Sequence, residues 1–189
     1  YPRDGRQLGA SGGFSWLLER LPDDATEVFC CDADDVWLPE KMEQSRVALL
    51  KAEAMESGPV LVHTDLRVTD SKLQTIDQSL WHYLEMSPEP VTLQRLLVEN
   101  VATGPTILMN RDLLEKACPI PDNVPYQDWW ITLVAAAFGR VVALPKATVL
   151  YRRHSANLTG EYSKARGALR HWAQKVVGAP GRTGELRRW

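Results

Sequence analysis

The chain has 189 residues, and 22 basic side chains against 24 acidic ones give a formal net charge of −2 at pH 7. This balance excludes the global positive field that attracts nucleic acid, so we expect no nucleic-acid partner. The length suits one domain with a substantial core, and 44% hydrophobic residues is ordinary for a globular protein. No apolar run has the length of a transmembrane helix. Three cysteines without metal-ligand spacing favour a reduced, cytoplasmic setting.

The first part of the sequence predicts helices alternating with strands after a loop that ends at Gly13. The predicted elements are a helix over Phe14–Arg20, a strand over Glu27–Cys31, a helix over Glu40–Glu56 and a strand over Val60–Val68. Pro39 suits the start of the second helix. We expect the apolar side of that helix to face the core, with the residues Met42, Val47, Leu50 and Ala54.

The second part predicts four more helices, with Thr92 and Asn110 as N-caps and Gly139 as a C-terminal stop. These helices are Ser79–Glu85, Leu93–Glu99, Arg111–Ala117 and Asp128–Phe138. Short strands are predicted over Thr106–Met109, Val141–Leu144 and Thr148–Arg152, the last two joined at Pro145-Lys146, and a basic helix over Ser163–Val177. The pattern is typical of an α/β domain with three layers, a mixed sheet flanked by helices.

Three carboxylates follow the first strand directly, in the stretch Phe29–Glu40 (FCCDADDVWLPE). They are Asp32, Asp34 and Asp35, and they are expected at the carboxyl edge of the sheet, where α/β proteins bind ligands. Neighbouring carboxylates repel each other unless a cation or protons intervene. Oxygen ligands of this kind suit Mg²⁺ or Mn²⁺ shared with a phosphate group. The alternative is a solvated acidic turn that caps the following helix.

Five stretches, in this order, resemble family 2 glycosyltransferases of the GT-A fold, most of all the rhamnosyltransferase-like branch that builds bacterial surface polysaccharides. They are CDADDVWLPEKME (Cys31–Glu43), HTDLRVTD (His63–Asp70), NVATGPTILMNRDLLEKACPIP (Asn100–Pro121), QDWWITLVAAAFGRV (Gln127–Val141) and YRRHSANLTG (Tyr151–Gly160). The resemblance implies a GT-A-like (Rossmann-like) domain over residues 1–160 that lacks its first β-α-β unit. Residues 161–189 would form a basic C-terminal helix and tail. Because most of the nucleotide-base pocket belongs to the missing unit, we expect the chain alone to bind donor weakly and to be inactive.

The resemblance also implies a donor site. Asp32 would lie against the ribose and diphosphate of the nucleotide, Asp34 would bind Mn²⁺ or Mg²⁺, and Asp35 would support the turn. The cation offsets the charge that develops on the departing nucleotide. Arg152 or Arg153 would contact the diphosphate. His154 would join the metal site, with a purely structural histidine as the alternative.

Asp128 resembles the family's catalytic base, which takes the proton from the acceptor hydroxyl and gives inversion at the anomeric carbon. A simple helix N-cap is the alternative, and the two roles are compatible. On the acceptor side the resemblance implies Gly104, Trp129 and Trp130, at least one tryptophan being expected in the core. His63 and Asp65 are minor candidates.

The predicted function is therefore metal-dependent, inverting transfer of a sugar from a nucleotide-diphosphate donor, with dTDP-rhamnose suggested, to a saccharide or lipid-linked acceptor. The alternatives are a non-catalytic carbohydrate- or nucleotide-binding module and a metal-dependent phosphohydrolase. The expected location is cytoplasmic. The basic helix Ser163–Val177 either packs on the domain or contacts the inner face of the membrane, and packing is favoured.

Overall fold

The computed structural model describes residues 8–153, which belong to the first of two units in the chain, Tyr1–Arg153. The helices are α1 (Gly9–Leu18), α2 (Lys41–Met55), α3 (Leu80–Tyr83), α4 (Leu93–Leu96), α5 (Arg111–Ala117) and α6 (Gln127–Phe138). The strands are β1 (Glu27–Phe29), β2 (Val36–Trp37), β3 (Val60–Thr69), β4 (Thr75–Asp77), β5 (Ile107–Asn110) and β6 (Arg140–Arg152), and a short 3-10 helix spans Gly104–Thr106. Within this part of the chain no helix has the length and hydrophobicity needed to cross a bilayer. The predicted domain boundary at residue 160 and the predicted basic helix lie outside the described residues.

The strands form one mixed, curled sheet in the order β1-β5-β3-β6-β2, and β4 pairs with the end of β3. Strands β3 and β6 are parallel, whereas β5 runs antiparallel to both β1 and β3, and β2 runs antiparallel to β6. The sheet curls so far that Phe29 of β1 and Trp37 of β2, from opposite ends of this order, bring their ring centroids within 5.4 Å. The predicted α/β fold with a mixed sheet is confirmed at this level.

Helices cover both faces of the sheet. Successive residues of its central strand point to opposite sides, and they are apolar on both sides, so each face needs a helical layer. Val60 and Val62 of β3 pack with Leu49 of α2 on one face. On the other face, Leu61 packs with Ile131 of α6 and with residues of α1 and α5. The sheet is thus flanked by helices on both faces, as predicted.

The prediction of which side of α2 is buried is wrong. Met42, Val47 and Leu50 are 53%, 47% and 53% exposed, and Ala54 is exposed as well. The buried residues of the helix are Lys41, Ser45, Ala48, Leu49 and Ala52. Apolar residues occur on nearly every side of this helix, so hydrophobicity alone does not select a face. The buried face includes three small residues, Ser45, Ala48 and Ala52, which let the helix approach the sheet closely.

The structure also corrects several predicted element boundaries. Helix α1 begins at Gly9 and not at Phe14, and α3 and α4 each have only four residues. The two predicted C-terminal strands are one strand, β6, in which Pro145-Lys146 is an irregularity between the pairs Thr64↔Leu144 and Asp65↔Ala147. The proline is tolerated because such a bulge does not need its missing N–H. Strands β2 and β4 were not predicted, and they have only two and three residues.

Candidate functional site

The acidic turn, defined here as Cys30–Asp35, connects β1 to β2 at the carboxyl end of β1. The N–H of Cys30 still donates to the carbonyl oxygen of Ile107 in β5, at 3.2 Å. The chain then leaves the sheet, and Asp32, Asp34 and Asp35 follow, each half-buried. The three carboxylates therefore lie at the sheet edge where the sequence predicted them.

Arg152, at the end of β6, holds the backbone of the acidic turn. Its Nε donates to the carbonyl oxygen of Asp34 at 2.9 Å, and its backbone N–H donates to Oδ1 of Asp35 at 3.1 Å. Nη1 donates to the carbonyl oxygen of Ser71 at 2.7 Å. The guanidinium thus connects the turn to the end of β3, and the predicted contact of Arg152 with a diphosphate stays a prediction.

Arg153 is directed elsewhere within the described structure. Its Nη1 donates to the hydroxyl oxygen of Tyr83 at 2.5 Å, and its guanidinium carbon lies 5.4 Å from the centroid of that ring. Its backbone N–H donates to the carbonyl oxygen of Thr69. These contacts place the side chain against α3, so a contact with diphosphate would compete with them.

Two of the three carboxylates of the acidic turn, Asp32 and Asp35, have raised pKa values. Burial raises the pKa of Asp35 to about 7; the charges of Asp32 and Asp34 add to this effect, and the N–H of Arg152 opposes it. Burial and then the charge of Asp34 raise the pKa of Asp32. Oδ2 of Asp35 is buried and has no hydrogen-bond partner among residues 8–153. A cation at this turn would relieve the repulsion and supply a partner for that oxygen.

Asp128 is the second residue of α6, whose N-cap is Tyr126 without a side-chain hydrogen bond. Its Oδ2 accepts from the N–H of Gly104 at 3.0 Å, and its Oδ1 accepts from the N–H of Trp129 at 2.7 Å. The carboxylate thus binds one amide of the helix start without occupying the N-cap position. Burial raises its pKa to about 6, although both amides lower it, and the charge of Asp32 raises it further.

The fold brings Asp128 to the acidic turn. Leu108 of β5 pairs with Phe29 at the end of β1, so Gly104, just before β5, lies at the same sheet edge as the turn. Gly104 in turn holds Asp128. The thiol of Cys30 lies within the fields of both Asp128 and Asp32, and its pKa is raised to about 12, chiefly by burial and then by these two charges. Cys30 is therefore protonated at neutral pH.

The two predicted acceptor-side tryptophans have different surroundings. Nε1 of Trp129 donates to the carbonyl oxygen of Leu96 at 2.6 Å, and its ring centroid lies 6.5 Å from that of Tyr126. Nε1 of Trp130 donates to the carbonyl oxygen of Ala117 at 2.9 Å, and Trp130 packs against the core between α1, α5 and α6. Trp130 thus packs against the core, whereas Trp129 lies beside Asp128 with Tyr126, an aromatic residue that the sequence did not single out.

The two minor candidates on β3 do not join the site. His63 is fully buried with its ring edge-on to Trp81. Asp65 caps the start of α3, because its carboxylate accepts from the hydroxyl of Ser79 and from the N–H groups of Leu80 and Trp81. Both side chains thus make contacts with α3 and the residues at its start. His154 lies outside the described residues.

Lys41 is the residue near the site that sequence reasoning missed. It is the first residue of α2 and completely buried. Its Nζ lies 5.1 Å from the centroid of Trp37 and 5.7 Å from that of Phe29. A lysine that directly follows Pro39-Glu40 reads in the sequence as part of a solvated first turn, and no local pattern indicates its burial.

The carboxylate oxygens of the acidic turn can hold a hard cation such as Mg²⁺ or Mn²⁺ only together with other ligands. Among residues 8–153, no three or more His, Cys, Asp and Glu side chains are gathered so as to hold a metal. Mg²⁺ and Mn²⁺ need only one or two carboxylates when phosphate oxygens and water complete the shell. The acidic turn, with the unpaired oxygen of Asp35, fits that requirement.

Comparison with known proteins adds no family to this picture. The chain matches no model of a known protein family, and no curated protein matches it significantly. The resemblance to glycosyltransferases therefore stays a prediction, and the geometry around the acidic turn and Asp128 has to support any function.

Proposed function

We propose that the chain carries the metal-binding and catalytic part of an inverting glycosyltransferase of the GT-A type. The observation that carries the proposal is the meeting of the acidic turn with Asp128 at one sheet edge, where the charge of Asp32 raises the pKa of Asp128. Such a site suits the transfer of a sugar from a nucleotide diphosphate to a saccharide or lipid-linked acceptor in the cytoplasm, for surface polysaccharide synthesis. The donor sugar we propose is dTDP-rhamnose or a relative of it.

In this proposal the acidic turn receives the diphosphate. Asp34 and the unpaired oxygen of Asp35 would hold Mn²⁺ or Mg²⁺, and Asp32 would face the nucleotide. The bound cation supplies Lewis-acid stabilisation of the charge on the departing diphosphate. Arg152 keeps the turn in place through the carbonyl oxygen of Asp34.

Asp128 is the general base of the proposal. The acceptor O–H bond breaks and its proton moves to Asp128, while the oxygen forms a bond to the anomeric carbon and the nucleotide diphosphate leaves from the opposite face. A pKa of about 6 suits this task, since the group is ionised at neutral pH yet basic enough to take a proton. The N–H groups of Gly104 and Trp129 orient the carboxylate.

Titration calorimetry with Mn²⁺ in the presence of UDP or dTDP tests the proposal. We expect Mn²⁺ binding by the wild-type chain and a loss of at least about tenfold in affinity in Asp34→Ala, because removing even an outer-shell partner of a metal costs that much. The matched control is Asp24→Ala, which removes an exposed carboxylate from the loop before β1. Equal affinity in the wild type and Asp34→Ala, or no Mn²⁺ binding at all, would contradict the proposal.

A second assay separates transfer from hydrolysis. Nucleotide release from dTDP-rhamnose by the protein should require an acceptor, and Asp128→Asn should abolish it while leaving Mn²⁺ affinity within about threefold. Release that proceeds equally well without an acceptor would indicate a phosphohydrolase instead.

A further inference from the structure

Lys41 is a destabilising residue at its position, because it buries an ammonium group. Its side chain is completely buried, and Nζ has no hydrogen-bond partner among the described residues. Burial lowers the pKa of this ammonium to about 8, because the charged form is less stable in the protein interior than in water. An unpaired buried charge destabilises a protein, and a methionine would fill similar space without that cost. A group of this kind calls for an explanation other than packing.

The contacts of Lys41 lie at the two ends of the acidic turn. Phe29 is the last residue before the turn and Trp37 follows it by two residues, and their ring centroids are 5.4 Å apart. The ammonium lies over both rings, at 5.7 Å from Phe29 and 5.1 Å from Trp37. Both distances are within the range of cation–π attraction, which strengthens when the cation is desolvated. One side chain of α2 therefore holds the entry and the exit of the turn together.

We propose that Lys41 is a positioning residue whose ammonium, clamped between Phe29 and Trp37, fixes the acidic turn in the conformation that its carboxylates need to bind a cation. The clamp itself rests on the observed contacts alone. Its role in cation binding rests on the proposed function.

A neighbouring residue provides a matched control. Ser45 lies one helical turn after Lys41 and is also completely buried, with a hydroxyl oxygen that has no hydrogen-bond partner among residues 8–153. Ser45→Ala therefore removes a buried, unpaired polar atom from the same face of α2 without touching the clamp.

Hydrogen exchange read by mass spectrometry tests the clamp without any ligand. In Lys41→Met, we expect the amides of residues 30–38 to exchange roughly tenfold faster than in the wild type, while β3 keeps its protection and the melting temperature does not fall. Lys41→Arg keeps a cation over the rings and should restore most of the protection, and Ser45→Ala should exchange like the wild type. Unchanged exchange at residues 30–38 in Lys41→Met, or faster exchange across the whole chain, would overturn the clamp.

Mn²⁺ titration in the presence of UDP then tests the positioning role. We expect Lys41→Met to bind Mn²⁺ about tenfold more weakly than the wild type, Lys41→Arg to recover most of the affinity, and Ser45→Ala to match the wild type. Faster exchange in Lys41→Met with undiminished affinity would refute the positioning role. Absence of Mn²⁺ binding by the wild type would refute the proposed function and with it the positioning role, while the exchange experiment still decides the clamp.

Discussion

The buried imidazole of His63 makes the stability of the domain depend on pH in a way that one substitution can isolate. The side chain is 0% exposed, and neither Nδ1 nor Nε2 has a hydrogen-bond partner among residues 8–153. Burial lowers its pKa to about 4, and the charge of Arg95 adds to this effect. In the unfolded chain a histidine has a pKa near 6.5.

The sign and size of the effect follow from these two values. Between pH 6.5 and about 4 the unfolded chain takes up a proton at His63 and the folded chain does not. The contribution of His63 to the free energy of unfolding is therefore complete above pH 6.5 and is lost as the pH falls toward 4. A difference of roughly 2.5 pKa units corresponds to about 3 kcal/mol.

Urea unfolding of the wild type and of His63→Leu, at pH 7.5 and pH 4, measures this contribution. At pH 7.5 we expect the two free energies of unfolding to agree within about 1 kcal/mol, because leucine is apolar and similar in size. Between pH 7.5 and pH 4, the difference between the two free energies of unfolding should shift by about 3 kcal/mol in favour of the variant. The raised pKa values of Asp35 and Asp128 act in the opposite direction in both proteins and cancel in the difference. The same difference at both pH values would refute the reasoning.

Two further substitutions test how the sheet is held to its helices. Asn110→Ala should lower the free energy of unfolding by about 3–5 kcal/mol in urea titrations, because it removes an N-cap and leaves buried groups unpaired. As a control, Asp112→Ala removes an exposed carboxylate from the first turn of the same helix and should cost less than about 1 kcal/mol; an equal loss in both variants would contradict this. The four partners of the asparagine are the N–H groups of Val60 and Leu113, the carbonyl oxygen of Gly58 and Oε1 of Glu53. Gly139→Ala should cost at least about 2 kcal/mol by thermal unfolding, since a Cβ there would lie 1.9 Å from the carbonyl oxygen of Pro59. The control Gly13→Ala in α1, where a Cβ meets nothing within 4 Å, should be neutral or stabilising, and equal losses would be evidence against this packing.

The sequence predicted those parts of the fold in which local chemistry decides. Thr92 and Asn110 cap α4 and α5 through their side chains, and α6 ends at Gly139. The inward face of α2 could not be predicted, because it depends on the shape of the sheet beneath the helix. Strand β2 could not be predicted either, since two residues carry no alternating pattern and are defined only by their pairing with the distant strand β6.

The acidic turn and Asp128 were found in the sequence by their residue types and by resemblance, but their meeting needed the fold. It follows from the pairing of β1 with β5, which places Gly104 and its hydrogen bond to Asp128 beside the turn. The burial of Lys41 could not be predicted from the sequence, for a physical reason. Its burial depends on two rings that are separated along the chain and brought together only by the curl of the sheet.

The most direct test of one shared site is paramagnetic broadening by Mn²⁺ in the amide NMR spectrum of the ¹⁵N-labelled chain, with UDP present. A cation bound at the acidic turn should broaden the amides of Gly104 and Trp129 together with those of the turn, and leave Met55 at the far end of α2 sharp. Asp34→Asn should abolish the broadening of both groups. Broadening confined to the turn, or broadening that survives in Asp34→Asn, would contradict a common site for the cation and Asp128.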